Sequence, residues 1–309
     1  MGKAVKKGTL LITGASGLLG SNLCLHFRKS WRVIGLYRLH PLTMVGVETY
    51  GGDLMELETI SSDFDFPDPD VVIHTAAFAQ VDWCEENPQQ AQLLHVASTR
   101  FLRHLWPRAY FVYISTDSIY GQGEGPHDEE EGPTPLTVYA RTKLEGEFAV
   151  SEISDRSVIL RTCIYGLNYQ FKHSLGEWMW ERLSTGEGFD GFTDISFSPI
   201  LVNDLAEVIE AVIERKLTGN YNAGSVSGCP KFEFGRMLAM EGRFDPELVR
   251  PVQGRTARFA APRPLAPVMD ARKVEQALDR RMPSVGDGIM KFVSLINDGY
   301  QGLLRGNGV

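Results

Sequence analysis

Tyr139 and Lys143 stand four residues apart in VYARTK. On a helix that spacing puts both side chains on one face, where they can meet. A neighbouring ammonium favours the phenolate, so the pair is expected to bring the tyrosine's pKa down towards working pH. Such a tyrosine gives or takes a proton at a carbonyl or alcohol oxygen. Thr116, in ISTDSIYG, closes a run of apolar residues and is placed to hydrogen-bond the same oxygen. A YxxxK pair by itself arises readily by chance and more often marks an exposed surface pair. Its position gives it weight here. It opens a helix directly after the strand that carries Ser115, Thr116 and Asp117, in a chain that begins with a glycine turn.

That turn lies in LLITGASGLLGSNLCLHF, where Gly14, Gly17 and Gly20 recur at every third position. Thr9 to Thr13 reads as a short buried strand, and Leu18, Leu19, Leu23 and Phe27 recur at helical spacing. Strand, glycine turn and helix opening together make a phosphate cradle. Glycine admits a tight turn and close approach of backbone to ligand, and the helix N-terminus offers free N–H groups and a positive dipole end. The second strand ends in GLYRLH, with Arg38 where a site for unphosphorylated dinucleotide commonly has an acid for the ribose 2′-hydroxyl. An arginine suits a 2′-phosphate by charge and by its forked donors, so NADPH is the expected cofactor, with NADH second. The competing reading is a surface arginine stacked on adenine.

The elements needed to hold these residues are legible. Apolar runs at 32–38, 70–77, 109–121 and 157–166 read as strands, and 88–105 and 138–150 as helices. Repeated βα units imply a parallel sheet with helices on both faces: an α/β fold of the Rossmann type, doubly wound, with a smaller C-terminal substrate-binding lobe. Ligands of such sheets sit outside the carboxyl ends of the strands. The glycine turn, His74 to Ala77, Ser115 to Asp117 and Thr162 to Tyr165 all fall there. The expected division is 1–166 for the dinucleotide-binding domain and 167–309 for the substrate lobe, with elements around 195–225 returning to the sheet. Residues 202–215 form a clear amphipathic helix.

Composition narrows the class. The net charge of −8, from 31 basic and 39 acidic residues, argues against a nucleic-acid or anionic-membrane partner. No apolar stretch is long enough to span a membrane. The four cysteines, Cys24, Cys84, Cys163 and Cys229, form no CxxC pair, so buried thiols in a reducing cytoplasm are expected. No histidine cluster has metal-ligand spacing, and no metal is expected. The acidic run Asp128 to Glu131 reads as a solvated loop.

TGASGLLG, STDSIYG and YARTK, in this order, resemble the extended short-chain dehydrogenase/reductase superfamily. A closer resemblance, to the dTDP-4-dehydrorhamnose reductase family, is carried by HTAAFAQVDWCEENPQQA, STD, TPLTVYARTKLEGE and RPLAPVMDARKV. It implies that Gly14, Gly17 and Gly20 carry the pyrophosphate, with Ser16, Leu18 and Leu19 supplying nearby backbone. It implies that Asp53 and Leu54 flank the adenine and that Ala76, Ala77 and Ala79 line the cofactor trough. Thr116, Tyr139 and Lys143 become the catalytic triad, with Tyr139 donating the proton while hydride passes to a C4 keto group, and Lys143 also holding the nicotinamide ribose. Val81 and Asp82 match positions near the sugar; for Asp82 a helix N-cap is the equal alternative. A homodimer is implied by resemblance only.

The chain departs from the pattern in three places. The family's tryptophan in RTSWVYG, which packs against the deoxysugar, is matched by Cys163 in RTCIYG. Trp178 or Trp180 could replace it, against the simpler reading of both as core aromatics. STDSIYG stands for the family's STDYVF, and His95 for its usual asparagine. The expectation is an NADPH-dependent reductase of a nucleotide-linked 4-keto-6-deoxy sugar. The alternatives are an epimerase or dehydratase of the same superfamily, or a non-catalytic NADP-binding subunit resembling the one that regulates methionine adenosyltransferase.

Overall fold

The computed structural model describes residues 6–56, 66–153, 155–256 and 260–306. Seven strands form the central sheet: β1 (Thr9–Thr13), β2 (Arg32–Tyr37), β3 (Val47–Gly51), β4 (Val71–His74), β5 (Tyr110–Thr116), β6 (Ser157–Thr162) and β7 (Gly219–Asn222). Their spatial order is β7-β6-β5-β4-β1-β2-β3, and every neighbouring pair is parallel. The strands are apolar almost throughout because both faces are covered, and alternate residues feed different cores. Leu10 and Ile12 of β1, Val71 and Ile73 of β4, and Val158 and Leu160 of β6 enter one layer. Leu11, Val72 and Ile159 enter the other.

Among the described residues the helices are α1 (Leu18–Phe27), α2 (Val81–Glu86), α3 (Pro88–Gln92), α4 (Ser98–Leu105), α5 (Val138–Ser151), α6 (Leu175–Ser184), α7 (Val202–Arg215), α8 (Lys231–Glu241), α9 (Arg272–Leu278), α10 (Val285–Asn297) and α11 (Tyr300–Leu304). Helices α1, α7 and α9 cover the first face through Leu23 and Phe27, Leu205 and Ile209, and Val274 and Leu278. Helix α7 forms because Leu205, Val208, Ile209, Val212 and Ile213 fall on one buried stripe. Burying each such side chain contributes about 1.5–3 kcal/mol. The opposite face is covered by α4, α5 and a π turn, Leu93–Ala97, that joins α3 to α4. A third apolar cluster unites α6, α8 and α10 through Met179, Leu183, Phe234, Leu238, Ile289 and Phe292. Two of these helices begin in capping boxes, Ser174 with Glu177 and Ser284 with Asp287.

The strand order reverses between β1 and β4, so the loops leaving them diverge and open a crevice at their carboxyl ends. Side chains fasten its floor. Thr13 Oγ1 lies 2.7 Å from His74 Nδ1, and Thr75 Oγ1 donates to the Thr13 carbonyl at 2.6 Å. The acidic run is less solvated than its composition implies: Glu129 is half-buried, and its Oε1 accepts the N–H of Asn222 at the sheet edge at 2.6 Å.

Candidate active site

Two cavities meet over the glycine turn. The larger, about 660 Å³, is lined by Gly14, Gly17, Thr116, Tyr139 and Lys143 among others. The smaller, about 300 Å³, runs past Arg38, Asp53, Leu54 and Phe78. Gly14, Gly17, Thr75, Ala77 and Gln170 line both, which makes the two one continuous trough. The turn is shaped by absent side chains. Gly14 has φ of +66°, and a Cβ there would lie 2.9 Å from Ala76 Cα. A Cβ on Gly20 would lie 2.2 Å from the Gly14 carbonyl oxygen, so only glycine lets α1 start this close to β1.

At the larger cavity, β5 delivers Thr116 and the first turn of α5 delivers Tyr139, with Thr137 capping that helix by accepting from the N–H of Ala140 at 3.1 Å. Thr116 and Tyr139 both face this cavity, and the Thr116 hydroxyl donates to Asp117 Oδ1 at 3.2 Å. Burial pushes the Tyr139 pKa up, and the Thr116 contact opposes that only in part. This corrects the expectation of a tyrosine drawn down by Lys143: desolvation dominates, and Tyr139 holds its proton at neutral pH. Burial acts on Lys143 as well and pushes it down to about 7, with Glu147 opposing. Its ammonium sits 4.0 Å from the centroid of the Tyr113 ring. Asp117 is also buried, which raises its carboxyl to about 6 against hydrogen bonds from Thr116 and Cys163.

Behind Tyr139 stands His95, wholly buried in the π turn. The Phe78 N–H donates to His95 Nε2 at 3.0 Å, which places the ring proton on Nδ1, 2.8 Å from Thr142 Oγ1. Burial pushes this imidazole down to about 2, so it stays neutral. Its ring meets the Tyr139 ring edge-on at 5.8 Å. It thereby ties the cofactor trough to the helix that carries the tyrosine.

Residues 8–297 match the family model described as "RmlD substrate binding domain". The chain belongs to this family. Among its relatives, the dTDP-4-dehydrorhamnose reductase of Mycobacterium tuberculosis is 29% identical over 329 aligned positions, which cover 90% of this chain and 98% of that protein. Methionine adenosyltransferase 2 subunit beta of Xenopus tropicalis is 28% identical, covering 88% and 84%. The crystal structure of dTDP-4-dehydrorhamnose reductase from Bacillus anthracis, in complex with NADP, superposes with a TM-score of 0.81 at 24% identity, covering 93% of this chain and 99% of that one.

Within this RmlD-type frame, Gly14, Gly17, Leu18, Leu19, Gly20, Ala77, Ala79, Val81, Thr116, Tyr139, Lys143 and Cys163 face the larger cavity. Ser16, Arg38, Asp53, Leu54 and Ala76 face the smaller. Arg38 lies over the Phe78 ring at 5.2 Å and 3.8 Å from Asp53. For Asp82 the helix N-cap reading is corrected. Gln80 occupies the N-cap of α2, and Asp82 lines neither cavity; its carboxylate accepts from Arg263 at 2.8 Å and from the Ala261 N–H at 3.0 Å. Cys163 is another correction, being partly exposed on the cavity wall, which Asp117 also lines, rather than buried. Trp178 and Trp180 do not reach the cavity: they pack on Phe189 and on Phe244 and Phe292. Gln170, whose Nε2 donates to the Ser16 carbonyl at 2.9 Å across the trough, was not singled out by any spacing in the sequence. Phe78 was discoverable, as the one aromatic between Ala77 and Ala79. Among the described residues, no group of His, Cys, Asp and Glu could hold a metal ion, and no helix is long and apolar enough to cross a membrane.

Proposed function

We propose that this chain reduces the keto group of a nucleotide-linked 4-keto-6-deoxy sugar with NADPH, and that dTDP-4-dehydrorhamnose is the first substrate to test. The observation that carries the reading is Thr116, Tyr139 and Lys143 together facing a 660 Å³ cavity continuous, over the glycine turn, with a 300 Å³ cavity that ends at Arg38. A dinucleotide fits this trough. The missing Cβ atoms at Gly14 and Gly20 let the turn pack on Ala76 and let α1 start close to β1, and the N-terminus of α1 beside this turn suits a pyrophosphate. Phe78, Leu54 and Asp53 offer an adenosine slot, and Arg38 is held by Asp53 only at 3.8 Å, so its guanidinium is available to a 2′-phosphate.

The bound nicotinamide supplies hydride. The chain's own groups do the rest. Tyr139, kept protonated by burial, donates its proton to the developing alkoxide, and Thr116, on the same cavity wall, hydrogen-bonds that oxygen. Lys143 places a positive charge under the phenolate left behind, and that charge is worth more in a water-poor site than in solvent. Val81, Asp117 and Cys163 line the sugar side. Cys163 stands where related reductases have a broad aromatic wall, so a thiol and the Asp117 carboxyl line that side of the cavity instead.

The similarity to methionine adenosyltransferase 2 subunit beta favours a second reading, an NADP-binding regulatory subunit. Product analysis after incubation with NADPH and the 4-keto nucleotide sugar separates the possibilities. A reductase accumulates the 4-hydroxy sugar in step with NADPH loss. An epimerase interconverts nucleotide sugars without net loss of NADPH. A regulatory subunit binds NADPH tightly and turns over neither.

A further inference from the structure

Lys143 is almost fully buried, at 3% exposure. An ammonium in that position needs compensation, and carboxylates supply little of it. Glu147, one turn along α5, is the nearest acid acting on it, but its oxygens are committed to Arg161 at 2.8 Å and to Ser115 at 2.5 Å. The other titratable groups around Lys143 bring no negative charge. Tyr139 on its own helix keeps its proton, and His74 on β4 and His95 in the π turn are held neutral by burial and by Lys143 itself. What lies directly against the amine is the face of Tyr113, wholly buried on β5, at 4.0 Å to the ring centroid.

We propose that Tyr113 is the positioning residue for Lys143: its ring face, seated in the space that Gly146 leaves on α5, holds the amine in place and keeps it charged. The seat is specific. A Cβ on residue 146 would lie 2.1 Å from the Tyr113 hydroxyl and 2.7 Å from the His95 carbonyl oxygen, so glycine is required for the ring to lie where it does. The negative face of an aromatic ring attracts a cation most strongly when both are out of water. Tyr113 lines neither cavity; its hydroxyl donates to the His95 and Lys143 carbonyls at 3.4 Å, and its ring face is what meets the Lys143 amine. For its part in turnover the inference rests on the reductase reading; the charge on the amine is measurable without it.

The test replaces Tyr113 with phenylalanine or with pentafluorophenylalanine, which keeps the ring's shape and reverses its quadrupole. Lysine ε-carbons are labelled with ¹³C, the Lys143 signal is assigned by its loss in Lys143→Arg, and its titration is followed by NMR without cofactor or substrate. Tyr113→Phe should keep the wild-type midpoint, and the fluorinated ring should lower it by about one pH unit. Coincident midpoints for the two rings overturn the proposal. A shifted midpoint in a protein that never consumes NADPH sustains the proposal and refutes the reductase reading.

Discussion

Tyr139 is the residue on which the chemistry turns. Removing its hydroxyl deletes the proton donor while leaving the trough untouched. Tyr139→Phe should therefore lower kcat by about 10²- to 10⁴-fold with NADPH affinity unchanged, as read by steady-state rates beside a fluorescence titration of the dinucleotide. Arg38 carries the cofactor choice. Arg38→Ala should weaken NADPH binding by about 10- to 100-fold, the size of one charged hydrogen-bonding contact, and leave NADH binding nearly unchanged. Equal losses for both dinucleotides would assign Arg38 to stacking on Phe78 and adenine instead. Two buried groups on the cavity wall set the pH response of the free protein. Asp117 gains a proton below about 6 and Lys143 loses one above about 7. The expected kcat/KM profile is a narrow bell with limbs near those values. A flat profile across pH 6–8 contradicts it.

At the scale of elements, the glycine turn is the device the fold cannot replace. Gly20→Ala forces a methyl against the Gly14 carbonyl, so α1 must move off the turn. Dinucleotide binding should fall at least about 10-fold while far-UV circular dichroism keeps its native shape, the usual outcome of overpacking at one contact. This turn was readable in the sequence because glycine spacing, an apolar strand and helical periodicity agree locally. Thr9–Thr13 and 202–215 were readable for the same reason: each is one uninterrupted pattern whose ends are marked. Elements that depend on distant partners were not. Strand β3, VETYG, is half-exposed and mixed in pattern, and it forms because β2 offers an edge. The π turn at Leu93–Ala97 lies inside what reads as one helix over 88–105, since nothing in its periodicity marks the extra residue. The sequence reads as strand over 109–121, but past Thr116 a 3₁₀ turn, Asp117–Ile119, takes over and turns Asp117 into the cavity wall. Asp82 misled for a related reason. Its partners, Ala261 and Arg263, lie about 180 residues away along the chain, and no local signal announces them.

For the molecule as a whole, the site is built at the expense of stability. Lys143 binds its proton less readily folded, at about 7, than unfolded, at its ordinary 10.5. Between those values the unfolded chain carries more protons, so folding stability rises with pH across that window, and the penalty of the buried charge is greatest at or below neutrality. Lys143→Met should thus abolish turnover yet raise Tm by about 5 °C at pH 7, an advantage that shrinks by pH 10. Calorimetry at the two pH values reads this directly, and an equal or lower Tm at pH 7 counts against a charged, desolvated lysine. The same economy explains why sheet and lobe form one molecule: the sheet holds the dinucleotide trough and the proton donor, and the loop leading into α6 closes the trough through Gln170. The measurement that tests the central claim most directly is deuterium transfer. NADPH deuterated at C4 of the nicotinamide is given with dTDP-4-dehydrorhamnose to the wild-type protein and to Tyr139→Phe. The account predicts deuterium at C4 of the product sugar with the wild type, and none with the variant in the same time. Sugar recovered unlabelled from wild-type protein that binds NADPH tightly, or labelled equally by the variant, would contradict it.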